Sequence, residues 1–331
     1  MTMLDILIIG VGGMGRRHIR SLLRTQRCNV SCVDISWSNI DSAKRLFNLQ
    51  ECYGSLDHVP ACRFGGVIVA TPAHTHMEYA RWCVRHKLPV LIEKPLAVIE
   101  DGVEALIEDV RGLGLVAGVA YPRRYSAGIR EMKKRLAEGL IGELKLIHGT
   151  FSQDFRKYRP DYLNTYYARL ETGGGALLDA LSHHVNLVTH FAGPVQSVSA
   201  FYDRLVFENC EGEDTALINL RFQTEVMGSV QGNQFQKPNV DALELVGTKG
   251  NLRYERYSGK LSWNCSDAKV WESDSIDGDW DGILDCQAEE FLDAIENGLP
   301  LRTDLEDAFH TLRLILAAKQ SQSTGRIISL Q

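Results

Sequence analysis

One short stretch near the amino terminus constrains the fold of this chain more than any other. Residues 6–9 form an apolar run of strand length, and Gly10, Gly12 and Gly15 follow with the spacing G-x-G-x-x-G. The next residues predict a helix, because apolar side chains recur three and four positions apart. A strand, a glycine turn and a helix in this order bind the pyrophosphate of a dinucleotide at the positive end of the helix.

An acidic residue after the glycine turn also supports a dinucleotide-binding site. A second predicted strand over residues 29–34 ends in Asp34, and an acid about 20 residues beyond the glycine turn accepts the ribose 2′-hydroxyl of NAD. The carboxylate would repel the 2′-phosphate of NADP. The alternative is an accidental glycine turn and a surface aspartate. The glycine turn and the acid together predict NAD as the cofactor, bound by Gly10, Gly12, Gly13, Met14 and Asp34.

Composition narrows the class of protein. A chain of 331 residues with 44% hydrophobic and 24% charged residues suits a two-domain globular protein. The net charge of −6 gives no electrostatic reason to expect nucleic acid or an anionic membrane as a partner. Neither a signal-peptide pattern nor a membrane-spanning apolar run is present, which predicts a cytoplasmic protein. The eight cysteines include no C-x-x-C pair, so we expect no disulfide and no metal.

The order of predicted elements changes along the chain. Six predicted strands mostly alternate with helices over residues 1–121, which indicates a doubly wound parallel sheet. From about residue 143, strands follow one another directly, as in an α+β domain with an open, mainly antiparallel sheet. We predict an NAD-binding Rossmann domain over 1–121 and an α+β domain for substrate binding and oligomerisation over 122–331. Because an open sheet must cover its second face, a homodimer or homotetramer through that sheet is expected.

The tripeptide Glu93-Lys94-Pro95 follows the predicted strand at residues 89–92. Ligands of open α/β sheets bind outside the carboxyl ends of the strands. Pro95 stiffens the turn, so Lys94 is presented on a fixed loop and can point at a substrate hydroxyl. The alternative is a surface lysine paired with Glu93.

A helix predicted over residues 174–191 carries an unusual polar stripe. At 100° per residue, Asp179, His183, Asn186 and His190 share one side and apolar residues occupy the other. The absence of long charged side chains from this stripe favours a helix that faces a polar pocket. A carboxylate that pairs with an imidazole four residues on fixes its tautomer, and the other ring nitrogen can take a proton. A solvated polar face or a structural His–Asp pair is the alternative.

Taken together, these motifs resemble the glucose–fructose oxidoreductase and inositol dehydrogenase (Gfo/Idh/MocA) family. The resemblance covers nearly the whole chain in the right order. It implies NAD(P)-dependent redox chemistry on a secondary alcohol of a sugar or cyclitol. The motifs are G-x-G-x-x-G, Thr71-Pro72 with His74 and His76, Glu93-Lys94-Pro95, G-G-G-x-L-x-D-x-x-x-H over residues 173–183, and the hairpin at Gly247–Gly250.

The resemblance also implies roles for individual residues. Lys94, Asp179 and His183 would form the catalytic set, with His183 as the base. The cofactor, or its junction with substrate, would be lined by Thr71, Pro72, His76, Glu93, Lys94 and Arg124. Arg124 lies in a Tyr-Pro-Arg-Arg-Tyr segment that matches the family pattern only loosely.

Two features of the sequence bear on the identity of the substrate. The run from Asp179 to His184 departs from the small-residue pattern of many family members, and His184, which projects off the stripe, is the less suitable base. The basic loop at 156–159 is similar to members from polysaccharide and modified-sugar pathways. It either binds an anionic part of the substrate or is simply solvated. The predicted substrate-binding residues are Lys94, Arg156, Tyr158, Tyr162, Asp179 and His183.

The predicted activity is therefore NAD-dependent transfer of a hydride between a sugar or cyclitol alcohol and nicotinamide. One alternative retains NAD and uses transient oxidation to drive elimination or glycoside cleavage. The other is a non-catalytic NAD- or sugar-sensing regulator, which would not need the set Lys94, Asp179 and His183.

Overall fold

The computed structural model describes residues 3–265, 270–276 and 280–330. It divides into two compact units. Among the described residues, the first unit contains the chain up to Pro122 and the segment from Trp280 to Phe309, and the second contains the remainder.

The first unit is built on a six-stranded parallel sheet with the strand order β3-β2-β1-β4-β5-β6. Residues Ile6, Leu7 and Ile8 of the central strand are fully buried, as expected for a parallel strand covered on both faces. This order confirms the predicted doubly wound sheet. The strands are β1 (Leu4–Ile9), β2 (Cys28–Val33), β3 (Cys52–Tyr53), β4 (Gly66–Val69), β5 (Val90–Glu93) and β6 (Ala117–Ala120), and the helices are α1 (Gly13–Thr25), α2 (Trp37–Phe47), α3 (His76–Arg85) and α4 (Val103–Leu113).

The second unit contains a nine-stranded mixed sheet, with the order β14-β13-β12-β11-β7-β10-β9-β8-β15. Its described pairings are antiparallel except that between β7 and β10. This confirms the predicted α+β domain with an open, mainly antiparallel sheet. The strands are β7 (Leu144–Asp154), β8 (Val195–Asp203), β9 (Thr215–Phe222), β10 (Met227–Asn233), β11 (Phe235–Gly247), β12 (Asn251–Glu255), β13 (Lys260–Asn264), β14 (Glu272–Ser275) and β15 (Ile328–Ser329).

Helices cover one face of this sheet. In β9 the inward residues Ile218 and Leu220 are buried, whereas Leu217 and Arg221 are exposed, which is the alternation of a strand with one covered face. Helix α7 packs on β7, and α5 packs on β12. The helices of residues 123–276 are α5 (Ala127–Ala137), the short α6 (Phe155–Tyr158) and α7 (Ser182–Ala192).

The two carboxyl-terminal helices are α8 (Trp280–Asn297) and α9 (Leu305–Thr324). The sequence analysis placed α8 in the second domain, but the structure packs it against α1 of the first unit. Its residues Phe291 and Leu292 are fully buried in the core of that unit. Arg27 also contacts Glu289 at 2.5 Å and Asp293 at 2.7 Å.

Across the described ranges, the structure contains no helix with both the length and the apolar surface needed to span a bilayer.

Candidate active site

Two glycines shape the turn between β1 and α1, and a third leaves it open. Gly10 has φ +88°, and a Cβ on Gly15 would lie only 2.0 Å from the carbonyl oxygen of Gly10. A Cβ on Gly12 would meet no atom of the described chain within 4 Å. Gly12 is the N-cap residue of α1, and no side chain of the described residues caps the helix there. Neither packing nor dihedral angle explains glycine at this position, whereas close approach of a pyrophosphate to the helix amino terminus does.

The carboxylate of Asp34 is fixed beside this turn. The backbone N–H of Val11 donates to its Oδ2 at 2.8 Å, and the N–H of Ser36 donates to its Oδ1 at 2.8 Å. Asn39 adds a longer contact of 3.3 Å from its amide. The next residue, Ile35, is 89% exposed and offers apolar surface beside the carboxylate. Met14, in the first turn of α1, is half-buried.

The loops that follow β4 and β5 are joined through a buried histidine. The Nδ1 of His76 lies 2.7 Å from the carbonyl oxygen of Pro95, and its Nε2 lies 2.9 Å from that of Thr71. Burial lowers the pKa of His76. Pro72 is exposed and Thr71 is half-buried. His76 therefore acts on the site through the backbone of both loops.

Glu93 and Lys94 occupy the carboxyl end of β5. Glu93 is buried, and its Oε1 lies 2.6 Å from Nε2 of His18 in α1. Burial alone would raise the pKa of Glu93, but the hydrogen bond with His18 lowers it below its ordinary value. Lys94 is half-buried, and its backbone N–H donates to Oε2 of Glu93 at 3.2 Å. Since β1, β2, β4 and β5 are parallel, their carboxyl ends bring the glycine turn, Asp34, Thr71 and Lys94 to one edge of the sheet.

In the second unit, a glycine turn introduces the helix that carries Asp179 and His183. Gly175 has φ +95°, and a Cβ there would lie 2.6 Å from Oε1 of Glu213. That oxygen accepts a hydrogen bond from the N–H of Leu177 at 2.8 Å. Glu213 is buried, and burial raises its pKa. The sequence analysis missed Glu213, whose role depends on a strand connection far from the glycines.

The helix itself differs from the continuous α-helix predicted over 174–191. Residues Ala176–Leu181 form a π-helical turn, and α7 begins at Ser182. Asp179 lies in the π turn, where its Oδ1 accepts a hydrogen bond from the hydroxyl of Tyr166 at 3.1 Å. His183, 9% exposed, lies in the first turn of α7. The proposed acid–base residues thus flank a π-to-α junction, a feature that is frequent at functional sites.

Asn186 does not take part in the polar face predicted for this helix. It is fully buried, and its Oδ1 accepts from Nε of Arg124 at 2.7 Å. Its amide donates to the hydroxyl of Thr311 at 3.0 Å. Arg124, predicted to line the cofactor, is itself buried and anchors α7. His190, the last residue of the stripe, is half-buried.

His184 contacts a buried carboxylate on the neighbouring sheet. Its Nε2 lies 3.1 Å from Oδ1 of Asp241 in β11, and Oδ2 of Asp241 accepts from Nη1 of Arg123 at 2.5 Å. Arg256 adds a contact with Asp241 at 3.2 Å. Burial alone would raise the pKa of Asp241, but Arg123, His184 and Arg256 hold it far below its ordinary value. Burial and the charge of Arg123 lower the pKa of His184.

The predicted substrate-binding residues of the basic loop occupy different environments. The guanidinium of Arg156 lies 5.2 Å from the ring centre of Phe207. Tyr158 is half-exposed, and its hydroxyl accepts from the amide of Asn239 at 2.8 Å. Tyr162 is only 7% exposed and packs in an aromatic cluster. Packing in this cluster covers most of the side chain of Tyr162, which the sequence analysis predicted to bind substrate.

Two family models match the chain. The model for the oxidoreductase family with an NAD-binding Rossmann fold matches residues 4–121, and the GFO/IDH/MocA C-terminal domain matches residues 129–253. The first unit is therefore an NAD-binding domain, as predicted from the glycine turn.

The chain is also similar in sequence and in structure to individual named proteins. The chain is 24% identical to myo-inositol 2-dehydrogenase of Thermotoga maritima, with 98% of each protein covered. It is 26% identical to levoglucosan dehydrogenase of Pseudarthrobacter phenanthrenivorans, but that match spans 57% of this chain and only 55% of the relative. A solved structure of a levoglucosan dehydrogenase with NADH has the same fold, with a TM-score of 0.91 at 19% identity and 99% of each chain covered. The protein is a member of the Gfo/Idh/MocA family of oxidoreductases.

Proposed function

We propose that this protein is an NAD-dependent dehydrogenase that acts on a secondary alcohol of a sugar, sugar derivative or cyclitol. The observation that carries the proposal is the pair Asp179 and His183 at the π-to-α junction, with Asp179 held by Tyr166. The full-length similarity to an inositol dehydrogenase supports the same class of substrate.

Each residue of the set has a distinct chemical task. His183 removes the hydroxyl proton, and Asp179 stabilises the imidazolium that forms. Lys94 stabilises the developing alkoxide electrostatically. Bound NAD supplies the acceptor for the hydride that leaves the substrate carbon. The hydroxyl of Tyr166 keeps the carboxylate of Asp179 in place by donating to it.

NAD is held by the edge of the first unit. Gly10, Gly12, Gly13 and Met14 surround the open amino terminus of α1 and receive the pyrophosphate. The fixed carboxylate of Asp34 accepts the ribose hydroxyls, which favours NAD over NADP. Thr71, Pro72 and Lys94 face the nicotinamide end, whereas His76 and Glu93 hold their loops.

Two surfaces of the second unit have proposed roles in substrate binding and in self-association. Arg156 and Tyr158 bind the outer part of the substrate, with Arg156 suited to an anionic substituent. Exposed Phe201, Leu217 and Met227 lie on the open face of the sheet. Burial of this apolar surface by a second copy of the chain gives a homodimer or homotetramer.

NADH formation with a panel of inositols, aldoses, amino sugars and sugar acids tests the activity. Wild type, His183→Ala and the control His190→Ala, a histidine on the same helix, are compared with each substrate. We expect turnover on one class, a fall in kcat of about 10²–10⁴ in His183→Ala, and little change in the control. NAD affinity, measured by quenching of protein fluorescence, stays unchanged.

The same assay separates the alternatives. An unchanged kcat in His183→Ala would remove His183 from the role of base. Consumption of a glycoside without net NADH would indicate the retained-NAD reaction. Tight NAD binding with no reaction on any substrate would indicate a sensor.

A further inference from the structure

One buried carboxylate in the second unit contacts three side chains that carry nitrogen. Asp241 is 6% exposed and contacts Arg123, His184 and Arg256. Arg123 is 6% exposed and His184 is 1% exposed. Two guanidinium groups already exceed the single negative charge, so a third positive charge on His184 is unfavourable. His184 is therefore the neutral member of the cluster.

The ring of His184 is fixed in both plane and direction. It stacks on Phe151, with ring centres 5.4 Å apart and an interplanar angle of 24°. The guanidinium of Arg123 lies 4.5 Å from the centre of the same Phe151 ring. Nε2 lies 3.1 Å from Oδ1 of Asp241, which is within ion-pair distance. Neither ring nitrogen makes a hydrogen bond within the ranges that the structure describes, so the stacking on Phe151 and the ion-pair contact with Asp241 hold this ring.

Two adjacent arginines, Arg123 and Arg124, are linked to α7 at different positions. Arg123 reaches His184 through Asp241, and Arg124 hydrogen-bonds both the side chain and the carbonyl of Asn186. His183 lies directly before His184, in the first turn of the same helix. The backbone that carries His183 is consequently held by buried polar contacts immediately after it.

Stability alone is a poor explanation for this cluster. Removing charged groups from water costs free energy that their mutual attraction only partly returns, and apolar residues of similar volume are often at least as stabilising. The hydrogen bonds of Arg123 to Asp241 and of Arg124 to Asn186 are directional and specify one geometry, which a site that positions reacting groups requires. The cluster is therefore better suited to orientation than to general stabilisation.

We propose that Arg123, Asp241 and His184 form a positioning network for His183. The inference depends on the proposed function, in which His183 is the base. The network keeps the first turn of α7, and with it the imidazole of His183, in one orientation. His184 itself exchanges no proton with substrate.

The first test compares two replacements of His184. Leucine keeps an apolar side chain against Phe151 but removes the polar nitrogen beside Asp241, whereas glutamine places an amide near the position of Nε2. We expect His184→Leu to lower kcat about 10- to 100-fold, because small misplacements of a reacting group have effects of this size. KM and the NAD dissociation constant should stay within about twofold, and His184→Gln should recover most of the lost kcat. Activities are normalised to folded protein.

Asp241→Asn provides a second variant, with Glu244→Gln on the same strand as its control. Both remove one negative charge, but Glu244 lies outside the cluster and contacts Arg253 at 3.9 Å. NMR of protein labelled at histidine ¹³Cε1 follows the ring of His183, whose resonance is assigned by its loss in His183→Ala. We expect Asp241→Asn and His184→Leu to shift or split this resonance, and Glu244→Gln to leave it unchanged.

The turnover assay and the NMR measurement distinguish failure of the proposed function from failure of the positioning network. If wild type turns over no alcohol, the proposed function fails, and the His183 resonance still tests the network. A wild-type resonance in Asp241→Asn and His184→Leu would overturn the positioning role. So would a wild-type kcat per folded molecule in both variants, because that result indicates a purely structural cluster.

Discussion

His18 and Glu93 lie 75 positions apart in the chain, yet Nε2 of one is 2.6 Å from Oε1 of the other in the interior of the first unit. His18 belongs to the helix that begins at the glycine turn, and Glu93 precedes Lys94. The contact therefore fixes the pyrophosphate end of the cofactor site relative to the loop that presents Lys94.

Glu93→Gln should weaken the first unit and its cofactor site together. We expect a loss of about 1–3 kcal/mol in the free energy of unfolding, since the change disturbs a buried hydrogen bond. Because Glu93 has a lowered pKa when folded, its stabilising effect is present above the ordinary value of about 4.3 and is lost as the pH falls below it. Urea unfolding at pH 7 and pH 4 measures both effects.

The control for this change is Glu104→Gln, on the exposed side of α4. It should leave unfolding and NAD affinity as in wild type. A constant difference between Glu93→Gln and wild type over that pH range would contradict the assignment of Glu93 as the titrating partner.

Gly12→Ala and Gly15→Ala make a matched pair. Gly12 has φ −66°, which alanine adopts, and its Cβ would enter open space. We expect normal stability but NAD binding weakened by at least about tenfold. Gly15→Ala places Cβ 2.0 Å from a carbonyl oxygen and should cost about 1–3 kcal/mol of stability. Thermal unfolding and NAD titration distinguish the two, and equal effects on both quantities would contradict a pyrophosphate at Gly12.

Asp34→Asn tests how the cofactor is discriminated. The amide keeps an acceptor for the N–H of Val11 or Ser36 but removes the charge. We expect weaker NAD binding and a smaller preference over NADP, because the repulsion of the 2′-phosphate disappears. The ratio of kcat/KM for the two cofactors measures the change. If that ratio stays at its wild-type value, Asp34 does not read the ribose.

His184→Gln should change how stability depends on pH. Folded His184 stays neutral, whereas the unfolded chain protonates this imidazole below about pH 6.5. Wild type therefore loses stability as the pH falls from 6.5, and the variant lacks this contribution, with a slope difference of up to about 1.4 kcal/mol per pH unit. Denaturant unfolding between pH 7.5 and 5.5 measures it, with exposed His58→Gln as control. Parallel curves for variant and wild type would show that His184 is protonated in the folded protein.

Local patterns predicted the elements whose signals lie close together in the chain. The glycine turn, Asp34 and the alternation of strands and helices all depend on neighbouring residues, and the parallel sheet of the first unit follows from that alternation. The contacts of Arg123 with Asp241 span 118 positions and leave no periodic signal. The π turn was missed because the prediction assumed 100° per residue throughout, whereas Gly175 and Glu213 impose a wider first turn.

Helix α8 places the beginning and the completion of the nucleotide-binding unit far apart in the order of translation. Its core includes Phe291 and Leu292, which are synthesised long after β1 to β6. At about 5–20 residues per second, the ribosome reaches them on the order of ten seconds after Pro122. During that interval the side of α1 around Leu22 has no α8 to cover it. A nascent chain of this protein thus carries an incomplete apolar core until its own later residues cover it.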